Sequence, residues 1–257
     1  MALTGVDFEV YAALRKSDLV PPRPAVLELG ESEWFGDLPP ERLAAIVDEY
    51  AAPPARSELR ARLAGILARK SPHPSWDLAK VFYRAMLDYR SFAAIDFHGT
   101  PAALQIDLNY PTGLAERFDI VINGGTAEHV FNVWQFYKSC HDLALPGGLM
   151  VHNTPFCGWL EHGFYNFNPT FYWDLAAANG YGVVLLVYTE LDPVRLVQLE
   201  RRERIVEMAR AGEIGRNAML YAVLRKAGEE SEFRCPRQGY YVGALSSEMD
   251  RAWRELR

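Results

Sequence analysis

A chain of 257 residues, 49% hydrophobic and 23% charged, has the make-up of a soluble globular protein that buries about three quarters of its unfolded surface. Its net charge of −6 and pI near 5.6 exclude a broad nucleic-acid footprint, which needs clustered lysine and arginine. Cys140, Cys157 and Cys235 are too widely spaced for a Cys-x-x-Cys metal site and too few for a disulfide framework, so a reducing cytoplasm is the expected compartment.

The opening MALTGVDFEVYAALRKSDL has early acidic residues and no continuous apolar core, so no secretory signal is expected. The longest apolar run, Val183 to Tyr188, is too short to span a bilayer, and no membrane association is expected. Short apolar runs bounded by turn residues then alternate with helix-period segments. This pattern predicts an α/β fold with a doubly wound, mostly parallel, seven-stranded sheet.

In chain order the predicted strands are Ala25 to Gly30, Phe92 to Asp96, Ala103 to Leu108, Phe118 to Gly124, Leu149 to His152, Tyr181 to Tyr188 and Ala218 to Arg225. Helices are predicted from Pro39 to Tyr50, where proline pre-sets the first turn and Glu41 favours its N-terminus, and over Ser57 to Lys70. Three more are predicted: Ser75 to Tyr89 with Ser75 as N-cap, His129 to Leu145, and Pro169 to Asn179 with Gly180 as the stop.

About sixty residues separate the first two strands, more than a compact strand-helix-strand unit needs. Residues 36–75 are therefore expected to be a helical insertion within a single domain spanning 1–257. The stretch Arg195 to Arg210, interleaved with Glu200, Glu203 and Glu207, reads as a solvated helix face. Residues 226–257 form a C-terminal extension that either covers the sheet edge or contacts a second subunit in a homo-oligomer.

Ligands of a doubly wound sheet bind outside the carboxyl ends of its strands. That rule selects Glu28 and Gly30, Asp96, Asp107, Gly124 with Gly125, Glu128 with His129, and His152 with Asn153. Glu128, His129, His152 and His162 lack the His-x-x-x-His spacing that sets two ligands on one helix face, so no metal is expected. The aromatic run PFCGWLEHGFYNFNPTFYW, residues 155–173, is expected to form a wall over the crevice.

The order Phe118-Asp119, Glu128-His129 and Leu145-Pro146-Gly147-Gly148 resembles the second half of a class I S-adenosylmethionine-dependent methyltransferase, a Rossmann-like family. The resemblance covers roughly residues 24–190. It implies S-adenosyl-L-methionine as cofactor and a small-molecule or carbohydrate acceptor, methylated at oxygen. Glu28-x-Gly30 resembles the start of the glycine-rich first motif. That motif is degenerate here, because Glu31-Ser32-Glu33-Trp34 follow where further glycines are usual.

By the same resemblance Asp96 is placed to accept both ribose hydroxyls, Asp107-Leu108 to meet the adenine, and Asn123 to Thr126 to floor the sulfonium. Glu31 would suit the cationic cofactor. It would repel a pyrophosphate, as would Glu33, which argues against a nicotinamide dinucleotide, and no Gly-x-Gly-x-x-Gly follows a strand.

Histidine suits removal of a hydroxyl proton near neutral pH. His152, directly after the predicted fifth strand, and His129 are the catalytic candidates, with Trp159, His162 and Tyr165 against the acceptor. The stretch from His162 to Pro169 resembles, less closely than the strand motifs do, a loop in bacterial methyltransferase-like proteins associated with surface glycans, and that resemblance admits a carbohydrate acceptor. The alternative reading is a methyltransferase-like binding or scaffold protein that has lost cofactor affinity, in which Trp34 or Phe35 would block the crevice.

Overall fold

The computed structural model describes residues 2–35 and 37–255. Residues 1, 36, 256 and 257, which include the expected outer bounds of the chain and the start of the helical insertion, lie outside the described residues.

The chain runs β1 (Ala2–Leu3), α1 (Gly5–Lys16), β2 (Ala25–Leu29), β3 (Glu33–Trp34), α2 (Pro40–Tyr50), α3 (Pro53–Leu67), α4 (Pro74–Leu87) and β4 (Ser91–Ile95). It continues through β5 (Phe118–Gly124), a 3-10 turn (Ala127–His129), α5 (Val133–Leu143), β6 (Ala144–Cys157), α6 (Pro169–Asn179) and β7 (Gly182–Leu191). The last elements are β8 (Val194–Gln198), α7 (Glu203–Arg210), β9 (Ala218–Arg225) and α8 (Ser247–Glu255).

Seven strands form one sheet in the order β4-β2-β5-β6-β9-β7-β8. The first four run parallel, β9 runs against both its neighbours, and β8 returns as a hairpin on β7. The sheet is therefore mixed: five of its seven strands share one direction, yet three of its six ladders are antiparallel, where the sequence pattern predicts a mostly parallel sheet.

Both faces of the sheet are covered, and the period of two decides which residue meets which cover. Val26, Ile120, Ile122 and Val151 face the layer of α1 to α4. Leu27, Leu29, Val121 and Met150 face α5 and α6. By the same alternation Glu28 points under α1 and α4, and His152 points under α5 and α6.

Three expectations are corrected. Ala103 to Leu108 is not a strand; Leu104 alone bridges to β4, giving its N–H to Ala94 O at 2.8 Å and accepting Asp96 N–H at 3.0 Å. Asp107 then turns the chain away by accepting the Asn109 N–H at 2.9 Å, so no ladder propagates. The seventh strand is instead β8, which overlaps the start of the stretch read as a charged helix face, of which only Glu203–Arg210 is helical. Ser75 is not an N-cap: α4 begins at Pro74, and the Ser75 hydroxyl donates to Glu33 Oε2 at 3.0 Å.

Helix α1 carries no strong periodic signal and is fixed by a capping box, in which Thr4 N–H and hydroxyl both donate to Asp7 Oδ2 at 2.8 Å. Asp7 Oδ1 also accepts the Tyr221 hydroxyl at 3.1 Å, which ties the helix to β9. No helix among the described residues is long and apolar enough to cross a membrane.

Candidate functional site

A cavity of about 940 Å³ opens at the carboxyl ends of β2, β4 and β5, where the crevice rule places a ligand. Gly30 lines it at a positive φ of 86°, a conformation that glycine adopts without steric cost. The chain thereby turns off β2 and leaves its backbone at the cavity wall. Trp34 and Phe35 also line the cavity without closing it; the Trp34 indole N–H is held by Leu38 O at 3.0 Å.

Asp96 stands at the tip of β4. Its Oδ2 accepts the Glu31 N–H and its Oδ1 accepts the His98 N–H, each at 2.7 Å. Two backbone donors fix the carboxylate's orientation and leave further lone pairs for hydroxyl donors. Gly99 keeps this corner clear, since a Cβ there would lie 2.8 Å from the Asp96 Cβ and 2.7 Å from Glu31 Oε2. Ile95, Phe97, Ile106 and Leu108 supply apolar wall, and exposed Asp107 lies at the same end.

Several expected contacts are not made. Glu31 does not line the cavity: its buried carboxylate is consumed by Lys80 Nζ at 2.5 Å and by the N–H and hydroxyl of Thr100 at 2.6 and 3.0 Å. Glu28 is buried in the middle of β2, where burial pushes its carboxyl up to about 7. Asn123 is also buried; its Oδ1 caps the 3-10 turn by accepting the Thr126 and Ala127 N–H groups at 3.0 and 3.1 Å. The Tyr165 hydroxyl donates to Phe131 O at 2.8 Å, and its ring is outside the cavity wall.

His152 departs furthest from expectation. The strand predicted to end there continues to Cys157, so His152 sits mid-strand between the rings of Tyr137 and Tyr172. The Asn123 amide approaches its Nδ1 at 3.3 Å, and burial pushes its pKa down to about 3. Its neighbour Asn153 lines the cavity instead.

The opposite wall is built on the 3-10 turn. Gly124, Gly125, Thr126, Glu128 and His129 line it, and Trp159 and His162 reach it from the loop after β6. Gly125 has a φ of 105°. Two non-glycine residues of the loop, Trp159 and Glu161, also adopt positive φ values of 51° and 60°, a costly conformation for side-chain-bearing residues.

Beside the Tyr165 tie to Phe131 O, three more hydrogen bonds pin the loop. Trp159 N–H donates to Asn217 Oδ1 at 3.1 Å and its indole N–H to Ala218 O at 3.2 Å. The third tie is the Phe164 N–H on Glu128 O at 2.7 Å.

His129 and His162 rings lie 4.9 Å apart, and His162 Nε2 lies 3.8 Å from Glu128 Oε1. Glu128 is fully buried and burial pushes its carboxyl up to about 7. Partial desolvation at the cavity wall lowers the His129 pKa, with a smaller contribution from His162, so its imidazole is neutral at neutral pH. The sequence thus brings Gly30, Asp96, Asp107, Leu108, Gly124, His129, Trp159 and His162 to one cavity. Its adjacency to His129 was the signal for Glu128; the contribution of Gly99 carried none.

No protein-family model matches this chain. Over 62 residues it is 36% identical to the ubiquinone biosynthesis O-methyltransferase of Ruegeria pomeroyi, covering 22% of this chain and 25% of that protein. Over 70 residues it is 34% identical to the ubiquinone biosynthesis O-methyltransferase of Cereibacter sphaeroides strain ATH 2.4.9, covering 25% of this chain and 28% of that one. The resemblance to S-adenosylmethionine-dependent methyltransferases thus holds for a segment, and the chain spans about a quarter of the length of the curated relatives it matches. Among solved structures, that of a protein converting a disulfide bond into a thioacetal group during echinomycin biosynthesis covers 96% of this chain and 86% of its own. Its identity is 15% and its TM-score 0.41, a score that establishes no shared fold.

Proposed function

We propose that this chain is a cytoplasmic, class I S-adenosyl-L-methionine-dependent methyltransferase that methylates a small-molecule hydroxyl. The observation that carries the proposal is Asp96, presented at the tip of β4 in a 940 Å³ cavity with its carboxylate oriented by two backbone N–H groups. A cavity of this size suits a nucleoside-sized ligand together with an acceptor. One methyltransferase-like unit would span 1–257, with 36–75 as helical insertion and 226–257 as extension.

The residues present fit the cofactor at several points. Asp96 would accept the ribose hydroxyls, and Ile95, Phe97, Ile106 and Leu108 would flank the adenine, with Asp107 near its amino group. Gly30 would let the backbone approach the methionine portion, and Gly124 would floor the sulfonium. Glu28 and Glu31 act behind this surface; Glu31 ties the Gly30 turn to α4 through Lys80 and to the segment after β4 through Thr100. Bound there, the cofactor supplies an electrophilic methyl group.

The chain's own residues do the rest. His129, neutral and facing the cavity, takes up the acceptor hydroxyl proton, while Trp159 and His162 hold the acceptor against it. The indole face of Trp159 suits an apolar or carbohydrate ring. Rate enhancement comes mainly from holding the acceptor oxygen in line at near-attack distance. The scaffold reading requires a blocked crevice, and the open cavity does not favour it. The test is a titration with S-adenosylhomocysteine, repeated on Asp96→Asn.

A further inference from the structure

We infer that Glu128, His129 and His162 bind one divalent transition-metal ion of the zinc class on the acceptor-side wall of the cavity. Each residue offers one ligand atom, and the three atoms lie within 4.8 Å of one another. Zinc bonds of about 2.0–2.2 Å place tetrahedral ligand atoms roughly 3.4 Å apart. The observed 3.8 Å between Glu128 Oε1 and His162 Nε2 is close to this. Both histidines are exposed, and ion binding requires their rings to turn until the spread of up to 4.8 Å closes to that spacing.

Glu128 supplies a second, independent reason. Its side chain is fully buried, yet among the described residues neither carboxylate oxygen has a hydrogen-bond partner. A buried carboxylate is costly unless a charge or donors compensate it. A divalent cation on Oε1 would do so, and Oε1 is the oxygen that approaches His162.

The backbone is shaped to hold these groups together. A Cβ on Gly125 would come within 3.3 Å of Glu128 Oε1, and one on Gly163 would lie 2.8 Å from Glu128 O. With no side chain at 163, the loop packs directly on the Glu128 peptide, where Phe164 N–H bonds the same carbonyl at 2.7 Å. The loop carrying His162 is therefore fastened to the backbone of the residue it would share an ion with. Two imidazoles and a carboxylate select zinc-class ions over magnesium or calcium, which prefer oxygen. Three protein ligands leave a position open to the cavity.

Resting on the proposed function, such an ion would lower the pKa of an acceptor hydroxyl that reaches the open position; with the ion bound, His129 would serve as ligand and the hydroxyl proton would leave to solvent, whereas in the metal-free chain His129 takes it up. Ion binding itself does not depend on that reading.

The metal-free 257-residue chain is titrated with zinc chloride in a calorimeter and with cobalt chloride by visible absorption, with no cofactor or acceptor present. The expected result is one ion per chain and a cobalt spectrum of four- or five-coordinate intensity. Glu128→Gln and His162→Ala should each weaken binding by at least about tenfold, while His73→Ala, outside the cluster, binds as wild type. Should Glu128→Gln fail to fold, His162→Ala on the exposed loop decides. Absence of saturable zinc binding, or retention of full affinity in His162→Ala, overturns the site. Because no cofactor is present, such a failure is separate from failure to bind S-adenosylhomocysteine.

Discussion

Asp96 accepts the backbone N–H of Glu31 through Oδ2 at 2.7 Å, so the tip of β4 and the turn leaving β2 are one rigid corner of the cavity. Glu31 reinforces that corner through Lys80 and Thr100 rather than by facing the ligand. A first motif with a single glycine can therefore be held open by ion pairing and hydrogen bonding.

Asp96→Asn retains the shape of the side chain and loses its charge and one acceptor oxygen. Its affinity for S-adenosylhomocysteine should fall by about 10- to 100-fold, the equivalent of a charge-assisted hydrogen bond. Calorimetric Kd values for the two proteins check this, and equal values would remove Asp96 from the site.

His129 and His152 should behave in opposite ways. In metal-free protein, the state in which these pH and rate predictions hold, His129→Ala should lower kcat/KM by about 100-fold, the usual contribution of a positioned proton acceptor. His152→Gln, inside the sheet's covered face, should leave it within about threefold per folded molecule. Since partial desolvation lowers the His129 pKa from its ordinary 6.5, the acid limb of the pH–rate profile should fall below that value. A limb at or above it would contradict the assignment.

Gly163→Ala places a methyl group 2.8 Å from Glu128 O, and the loop bearing Trp159 and His162 must move. Acceptor KM should rise about tenfold, the cost of a small displacement of positioning groups, while S-adenosylhomocysteine affinity stays unchanged. Steady-state kinetics beside a binding titration separate the two.

Burial pushes Glu28 from 4.5 up to about 7 and Asp7 from 3.8 up to about 6. The folded chain therefore keeps protons that the unfolded chain has released, and these groups lower stability as pH rises from about 4 to 7. Glu28→Gln removes one such group. It should be more stable than wild type by on the order of 2 kcal/mol at about pH 8 and nearly equal at about pH 4.5. Urea denaturation at both pH values measures this, and a pH-independent difference would rule it out.

Apolar runs buried on both faces made β5 and β9 legible with their ends intact, because an unbroken run between turn residues has few other solutions. The same logic misled at Ala103 to Leu108, where an edge position lets one residue bridge and the rest turn away. For the site, strand tips gave Gly30, Asp96 and Gly124 directly. His152 failed because β6 runs on past it, so the period of two, rather than the strand end, decided where its ring went. Glu128 and His162 are distant in sequence, and only the packing of Gly163 on the Glu128 peptide brings them together.

Titrating S-adenosylhomocysteine into the 257-residue chain in a calorimeter, with a thermal-shift measurement alongside, shows whether the cavity holds the cofactor. Binding of one molecule per chain, with a rise in Tm and weakening in Asp96→Asn, is the predicted result. Neither saturable heat nor any shift in Tm would contradict it.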